Sequence, residues 1–194
     1  MSQIVVFTSL TLDGVMQAPG RPDEDRRGEF RHGGWATPYA DEVSGRLAGE
    51  GMATTGSLLL GRRTYEDILP HWNSAGGPFK DMLNDTPKHV VSTTLSEPLR
   101  WPNSTLIQGH VAEACANLKK ARKDVLVLGS GELVQTLLKH DLVDRFILLI
   151  HPLVLGSGRR LFNDGGPMAK FELVDAKTST TGIVIATYRR ASRA

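Results

Sequence analysis

Short runs of consecutive apolar residues alternate along the chain with segments whose apolar residues recur every three or four positions. The runs predict strands, and the recurring pattern predicts helices. The predicted strands cover residues 4–12, 58–60, 88–93, 104–108, 125–128 and 143–149. The predicted helices cover residues 40–51 and 111–122, and a further helix begins with residues 63–69. A short helix that ends at 83 follows the loop Gly76-Gly77-Pro78, and another helical segment begins near 132. Repeated strand–helix units are typical of a mainly parallel sheet.

Two further strands, at residues 171–179 and 183–190, are joined at Thr181-Gly182 and predict an antiparallel hairpin. A chain of 194 residues is long enough for one domain with its own core. We therefore predict a single three-layer α/β domain over residues 1–194. It has a mainly parallel central sheet, helices on both faces and a C-terminal antiparallel hairpin.

Composition narrows the functional classes. Lys and Arg number 23 against 21 Asp and Glu, so no bulk charge attracts nucleic acid or a membrane surface. The sequence has no apolar stretch of membrane-span length and no signal peptide before the first strand, so we expect a cytoplasmic protein. Cys115 is the single cysteine and falls on the apolar side of a predicted helix, where it is expected to be a small core residue. The six histidines lack metal-ligand spacing, and we expect no metal site.

The tripeptide Gly129-Ser130-Gly131 joins an apolar strand to a predicted helix. Such a turn leaves backbone N–H groups free at the positive end of the helix dipole, which suits a phosphate. The dinucleotide fingerprint G-x-G-x-x-G is incomplete, because Val134 occupies its third glycine position. The turn therefore predicts a nucleotide site that is not an ordinary Rossmann unit. The alternative is a tight turn in which glycine serves packing alone.

Two other predicted strands also run into polar turns. In Gly61-Arg62-Arg63-Thr64, glycine permits a tight turn, the threonine hydroxyl can cap the helix, and two guanidiniums suit a terminal phosphate. Ser92-Thr93-Thr94 offers hydroxyls to ribose or phosphate oxygens. The alternatives are a surface arginine pair and hydroxyls that only form a turn. Ligands of open α/β sheets bind beyond the carboxyl ends of the strands, so three such turns at one edge favour a dinucleotide site.

In this order, the motifs resemble those of the dihydrofolate reductase-like fold family. The nearest resemblance is to the reductase domain of the bacterial riboflavin biosynthesis deaminase-reductase and its stand-alone relatives. Ser9-Leu10-Thr11-Leu12-Asp13-Gly14 resembles the Ser-x-Asp-Gly signature of that branch, and residues 151–162 resemble its Pro-x-x-x-Gly-x-Gly-x-x-Leu-Phe segment. The likeness spans residues 3–189. The zinc deaminase signature H-x-E…P-C-x-x-C does not occur.

The resemblance implies NADPH as the hydride donor. Carried over position by position, the cofactor-binding residues are Gly61, Arg62, Arg63 and Thr64 on the adenosine side, Ser92 and Thr93 along the ribose, and Gly129, Ser130, Gly131, Glu132 and Leu133 at the diphosphate. The arginines would take the 2′-phosphate. Glu132 is out of keeping with this role because a carboxylate repels phosphate. The alternative is that it caps the helix start and points away.

Asp13, with Gly14 and Met16 beside it, is the predicted catalytic residue. A carboxylate at the end of the first strand can accept hydrogen bonds from a heterocyclic N–H or help a proton reach a ring nitrogen. The alternative is an aspartate that caps a turn. Residues 17–38 are too many for a simple connector and predict a lid, in which His32 and Trp35 cover a flat substrate. In the alternative, this loop only places Trp35 in the core.

We therefore expect an NADPH-dependent oxidoreductase that transfers a hydride to a small heterocycle, similar to 5-amino-6-(5-phosphoribosylamino)uracil reductase. The alternatives are a dihydrofolate reductase and a non-catalytic nucleotide-binding module. True dihydrofolate reductases carry an acid in the helix after the first loop. Here Asp41, Glu42 and Glu50 have no spacing that singles one out. The terminal hairpin would expose apolar surface and members of the resembled family commonly pair, so we expect a homodimer.

Overall fold

A computed structural model describes residues 2–191, in which we number eight strands and five α-helices. The strands are β1 (Ile4–Thr11), β2 (Ser57–Gly61), β3 (Lys88–Val91), β4 (Ser104–Ile107), β5 (Val125–Gly129), β6 (Arg145–His151), β7 (Phe171–Thr178) and β8 (Val184–Arg190). The helices are α1 (Glu42–Ala53), α2 (Arg62–Ala75), α3 (Pro78–Asp85), α4 (Val111–Leu118) and α5 (Gly131–Lys139). Residues 1 and 192–194 of the predicted domain lie outside this description.

All eight strands lie in one sheet, in the order β4-β3-β2-β5-β1-β6-β8-β7. The first six are mutually parallel, while β8 runs antiparallel to both β6 and β7. The predicted mainly parallel sheet with a C-terminal antiparallel hairpin is therefore confirmed. The chain reverses its strand order between β1 and β5, which places a crevice at the carboxyl ends of these central strands.

Helices cover both faces of the sheet, as predicted. Successive side chains of a strand point to opposite faces. On one face Val5 belongs to a buried cluster with Tyr65 of α2. On the other face Val6 belongs to a cluster with Leu133 and Leu137 of α5. The core thus consists of two apolar layers, one on each side of β1, β2 and β5.

Helix α2 is longer than the sequence pattern predicts. It continues through Pro70 to Ala75, although proline removes the N–H that the carbonyl of Glu66 would otherwise accept. The predicted loop lies at Gly76-Gly77, between the end of α2 at Ala75 and the start of α3 at Pro78. Packing holds the last turn in place: Leu69 is fully buried, and the ring of Trp72 packs edge-to-face on Phe79 with centroids 4.7 Å apart.

Several other boundaries differ from the prediction by a few residues, and at two of them a polar side chain marks the change. Helix α4 ends at Leu118 rather than 122, and the Lys119 ammonium that follows lies 2.7 Å from the Asp144 carboxylate. Strand β6 begins at Arg145 rather than 143, because Asp144 accepts the backbone N–H of Ile4 through its side chain. In both places a polar side chain forms a hydrogen bond to another element where the regular backbone hydrogen bonds end.

Cys115 is fully buried in α4, which confirms it as a core residue, and burial raises the pKa of its thiol to about 11. Within residues 2–191, no helix has both the length and the apolar character needed to cross a membrane.

Candidate functional site

Two helix N-termini meet at the carboxyl edge of the sheet. Strand β2 ends at Gly61 and α2 starts at the next residue, while β5 ends at Gly129 and α5 starts after Ser130. No side chain among residues 2–191 caps either helix. The first backbone N–H groups of both helices are therefore available to an anion, and both helix dipoles favour negative charge there.

The two turns pack directly on each other. A Cβ atom on Gly61 would lie 2.5 Å from Ser130 Oγ, and one on Gly129 would lie 2.8 Å from Thr64 Oγ1. Glycine is thus needed at both positions so that the two turns can approach each other closely. The prediction that Thr64 caps α2 is wrong, because its hydroxyl faces the neighbouring turn instead.

Two clefts open on either side of this junction. The main cleft has a volume of about 700 Å³, within the range of small-molecule sites. It is lined by Thr8 and by residues 16–19, 24–27, 63–64, 66–68, 128–132, 158–160 and 162–164. A smaller groove of about 280 Å³ is lined by residues 61–63, 91–94, 107, 109, 111, 130, 132, 133 and 136. Arg63, Ser130 and Glu132 line both, so the two spaces are continuous at the paired helix starts.

Every residue predicted to bind the cofactor lines one of these two clefts. The main cleft includes Arg63, Thr64, Gly129, Ser130, Gly131 and Glu132. The smaller groove includes Gly61, Arg62, Ser92, Thr93 and Leu133. Three turns that are far apart in the sequence are thereby brought to one site. Their cofactor contacts stay a prediction.

The hydroxyl of Ser92 also shapes its own turn. Ser92 is buried, and its Oγ accepts the backbone N–H groups of Thr94 and Leu95, each at 3.0 Å. Turn formation therefore accounts for Ser92, the alternative considered from the sequence. Thr93 is exposed and presents its side chain at the groove.

Asp13 lies outside the lining of both clefts. Its carboxylate accepts the Thr11 hydroxyl at 2.6 Å and the backbone N–H groups of Leu155 and Gly156 at 3.2 and 2.9 Å. The hydrogen bond from Thr11, with those from the two amides, lowers the pKa of Asp13. These contacts join the end of β1 to the segment after β6. They favour the turn-capping alternative, and the catalytic role stays a prediction.

The segment 17–38 borders the main cleft, but not with the aromatic residues predicted to form a lid. Trp35 is buried in a cluster with Val15 and Phe30, and its indole N–H donates to the Gln17 carbonyl at 2.7 Å. The ring of Trp35 therefore takes the core position considered as the alternative, outside both clefts, and its contact with a substrate stays a prediction. His32 is exposed and packs its ring edge-to-face on Phe30, outside both clefts.

The sequence pattern missed several polar residues of the main cleft. Glu24 is half-buried, and its Oε2 accepts the N–H groups of Gly20 and Arg21 at 2.7 and 3.1 Å. Burial raises the pKa of its carboxyl, although these two amides oppose the shift. No ion pair to Glu24 is present within residues 2–191. The role of Gln17 was missed as well, because polar residues in loops carry no periodic signal.

Met16 and Gly14, the other two residues predicted beside the substrate, lie at or next to the main cleft. Met16 lines the main cleft, and a Cβ on Gly131 would lie 2.8 Å from its sulfur. Gly14 takes a left-handed conformation in the turn below, with φ 79°. Backbone hydrogen bonds from Met16 N to Arg159 O and from Leu161 N to Gly14 O hold this turn against the segment after β6.

No group of His, Cys, Asp and Glu within residues 2–191 could hold a metal ion.

Solved structures with the same architecture define the fold class. A protein from Shewanella sp. PV-4, described as a "Putative riboflavin biosynthesis protein", has 24% identity and a TM-score of 0.75, with 98% of this chain and 99% of that chain covered. A pyrimidine reductase-like protein from Corynebacterium diphtheriae has 11% identity and a TM-score of 0.68, with coverage of 99% and 93%. A dihydrofolate reductase from Enterococcus faecalis, complexed with NADP(H) and RAB-propyl, has 14% identity and a TM-score of 0.62, with coverage of 98% and 97%. The fold is therefore that of the dihydrofolate reductase-like proteins.

The chain belongs to the RibD C-terminal domain family, a reductase-like family whose model matches residues 2–185. Two relatives from Bacillus subtilis (strain 168) carry no assigned activity in their names. Uncharacterized protein YyaP is 32% identical over 139 residues, which is 68% of this chain and 72% of that protein. Uncharacterized protein YwjB is 29% identical over 180 residues, which is 89% of this chain and 90% of that protein.

Proposed function

We propose that this protein is an NADPH-dependent reductase that transfers a hydride to a small heterocyclic substrate. The observation that carries the proposal is the pair of uncapped helix N-termini at Gly61 and Ser130, placed where two clefts join. A dinucleotide matches this arrangement, because its two planar groups could occupy the two clefts while its anionic bridge crosses at the helix N-termini. Family membership and the NADP(H) bound to the Enterococcus protein support the choice of cofactor.

The residues present fit such a cofactor. The amides at the start of α2 and α5 would hold the diphosphate, and the close contact of Gly61 with Ser130 keeps the two helix starts together. The adenosine would lie in the smaller groove, where Arg62 and Arg63 meet the 2′-phosphate by forked hydrogen bonds. When bound, the nicotinamide supplies a hydride. The main cleft would then take the substrate beside Met16 and Gly131.

Reduction of a C=N bond also consumes a proton, and two carboxyls are candidates for its delivery. Asp13 is the residue predicted from the sequence, but its oxygens are occupied by Thr11, Leu155 and Gly156. Glu24 lines the main cleft, and burial raises the pKa of its carboxyl, which favours the protonated form needed in a general acid. We assign proton delivery to Glu24 and the turn-capping role to Asp13.

The substrate class is tested by NADPH oxidation, followed at the absorbance of the reduced nicotinamide, across a panel of heterocycles. The panel contains dihydrofolate, other pterins and 5-amino-6-(5-phosphoribosylamino)uracil, the substrate of the nearest named activity. Oxidation with the ribosylamino-pyrimidine supports that assignment, and oxidation with dihydrofolate alone assigns the protein to that alternative. Tight NADPH binding with no oxidation of any compound would identify a nucleotide-binding module and overturn the proposed activity.

The proposal includes a homodimer. Strand β7 forms one edge of the sheet and is exposed along most of its length, with Leu173 and Val174 each 58% exposed. An apolar edge of this kind invites a second copy to cover it.

A further inference from the structure

Three arginines from different segments converge on one carboxylate at the junction of the two clefts. Glu132 Oε1 lies 3.4 Å from Arg159 Nη1, 3.5 Å from Arg63 Nη1 and 3.7 Å from Arg27 Nη1. Arg159 follows β6, Arg63 begins α2, and Arg27 belongs to the segment 17–38. All three line the main cleft. We call Arg27, Arg63 and Arg159 the arginine cluster.

Arg27 has hydrogen-bonding capacity to spare. Its Nε and Nη2 donate to the two oxygens of Asp25 at 2.8 and 2.5 Å. Its Nη1 is buried and has no hydrogen-bond partner within residues 2–191, because Glu132 lies beyond bonding distance. A buried guanidinium N–H without an acceptor is costly. An acceptor placed slightly nearer than Glu132 would satisfy it.

The backbone that carries Arg27 and Arg159 is held in position without help from Glu132. The side chain of Gln17 is buried, and its Nε2 donates to the carbonyls of Asp25 and Arg27 at 3.1 and 2.9 Å. Its Oε1 accepts the backbone N–H of Arg159 at 2.9 Å. One amide therefore joins the two loops on either side of the cleft. Arg63 is carried separately, in the first turn of α2.

The charges of this region favour an added anion. Immediately around Glu132, three guanidiniums face the two carboxylates of Asp25 and Glu132, an excess of one positive charge at the junction; the wider lining of the main cleft adds Arg26 and Arg160 and the acidic residues Glu24, Glu66, Asp67 and Asp164. The uncapped start of α5 lies at the same place and adds the positive end of its dipole. Glu132 is 67% exposed, so its carboxylate can swing aside into water at little cost.

We propose that the arginine cluster binds the diphosphate bridge of the dinucleotide, and that Glu132 is a resident counter-ion which the diphosphate displaces. The inference rests on the proposed function and adds to it Arg27, Arg159 and Glu132 as residues that set cofactor affinity. Arg63 and Glu132 line both clefts, which is where the bridge of a dinucleotide must cross. NADPH and NADH share this diphosphate, so Arg27 and Arg159 act equally on both, whereas Arg63, which lines both clefts, also reaches the 2′-phosphate in the proposed function.

The test is calorimetric titration of NADPH, NADH and inorganic pyrophosphate into Glu132→Gln and Arg159→Gln. Removing one charge about 4 Å from the anion corresponds to roughly a fivefold change in affinity in water. Glu132→Gln should therefore bind all three ligands about fivefold more tightly, and Arg159→Gln should bind them about fivefold more weakly. Both effects should shrink at high salt, because the charges are exposed.

Matched controls come from α1, where Arg46 and Glu50 form an ion pair at 3.9 Å and are 63% and 65% exposed. Arg46→Gln and Glu50→Gln change the net charge by the same amounts away from the clefts, and their affinities should equal that of the wild-type protein. Melting temperatures of the unliganded variants verify folding. Should a Gln variant unfold, Arg159→Lys and Glu132→Asp replace it, with smaller shifts in the same directions.

The inference and the proposed function fail in different ways. Wild-type binding of NADPH with no change in either cluster variant would overturn the inference and leave the function standing. No binding of either dinucleotide to the wild-type protein would overturn the function itself. A variant effect on ribose 5-phosphate, titrated in parallel, without an effect on NADPH would also overturn the inference, since the anion would then belong to the substrate.

Discussion

Gly61 and Ser130 lie so close together that a Cβ atom on the glycine would stand 2.5 Å from the serine hydroxyl. The two residues precede the first turns of α2 and α5, and they are 69 positions apart in the sequence. Their contact brings two uncapped helix starts to one point. The anion site that we propose at this point rests on the paired dipoles and free amides rather than on either turn alone.

Arg62 and Arg63 should give the protein its preference for NADPH over NADH. Arg62 is at present paired with Glu66 at 2.7 Å on the exposed surface of α2, so it can be recruited at little cost. Loss of charge-assisted bonds to the 2′-phosphate should weaken NADPH binding by about 1.5–3 kcal/mol more than NADH binding in the double alanine variant. Titration of both cofactors checks this. The prediction is refuted if Arg62→Ala alone, which leaves the arginine cluster intact, weakens NADH as much as NADPH.

Gly131→Ala should weaken both cofactors while the protein stays folded. The added Cβ would stand 2.8 Å from the Met16 sulfur, the movable end of a flexible side chain, which must then shift within the main cleft. Inserting extra volume into a packed site of this kind is typically unfavourable by about 1–3 kcal/mol. Gly49→Ala in α1 is the control, because a Cβ there meets no atom of the described residues within 4 Å. Unchanged affinity in folded Gly131→Ala would remove this turn from the site.

Asp13→Asn should lower stability more than turnover per folded molecule. The variant loses charge-assisted hydrogen bonds from Thr11, Leu155 and Gly156, which are worth about 1–3 kcal/mol together. In the wild-type protein, the pKa of Asp13 is lowered in the folded state. The stabilisation from its carboxylate is therefore present above the ordinary value of 3.8 and is lost as pH falls through the lower folded pKa. Below pH 3.8, the free energy of unfolding measured with denaturant should fall less steeply with pH in the variant than in the wild-type protein. A normal melting temperature with turnover reduced 10²–10⁴-fold would restore the catalytic assignment.

Glu24→Gln should reduce turnover by roughly 10²–10⁴, the usual contribution of a general acid, without a change in NADPH affinity. Since burial raises the pKa of Glu24, the wild-type rate should fall as pH rises through that pKa, and the variant should lose this limb of the profile. Glu66→Gln is the control, because Glu66 lines the same cleft but is paired with Arg62. Equal rates in Glu24→Gln and the wild-type protein would exclude Glu24 as the proton donor.

Light scattering should give a mass near twice the 21.2 kDa of the chain. Leu173→Lys places a charge on the exposed β7 edge and should return the protein to the monomer mass. Val154→Lys is the matched control, because Val154 is 66% exposed but follows β6 rather than lying on β7. A wild-type mass near 21.2 kDa at micromolar concentration would refute the dimer.

Local patterns in the sequence predicted most of the fold. Apolar runs such as 58–60 and 125–128 marked the central strands, because residues buried on both faces of a parallel sheet are apolar without alternation. The glycine turns after these strands were visible for a similar reason, since tight strand–helix junctions require glycine locally. The pattern did not show that α2 continues past Pro70, where tertiary packing of Leu69 and Trp72 overrides an unfavourable local residue.

Only the tertiary structure decided what surrounds the candidate ligand. The sequence by itself determined which turns follow buried strands, because those turns depend on neighbours in the chain. The family resemblance then assigned eleven residues of these turns to the cofactor. It could not show that Trp35 packs inward and Asp13 caps a turn, or that Glu24 and Arg159 face one cleft. Each of these outcomes depends on contacts between residues far apart in the chain, such as Gln17 with Arg159. Such contacts leave no periodicity in the order of the amino acids.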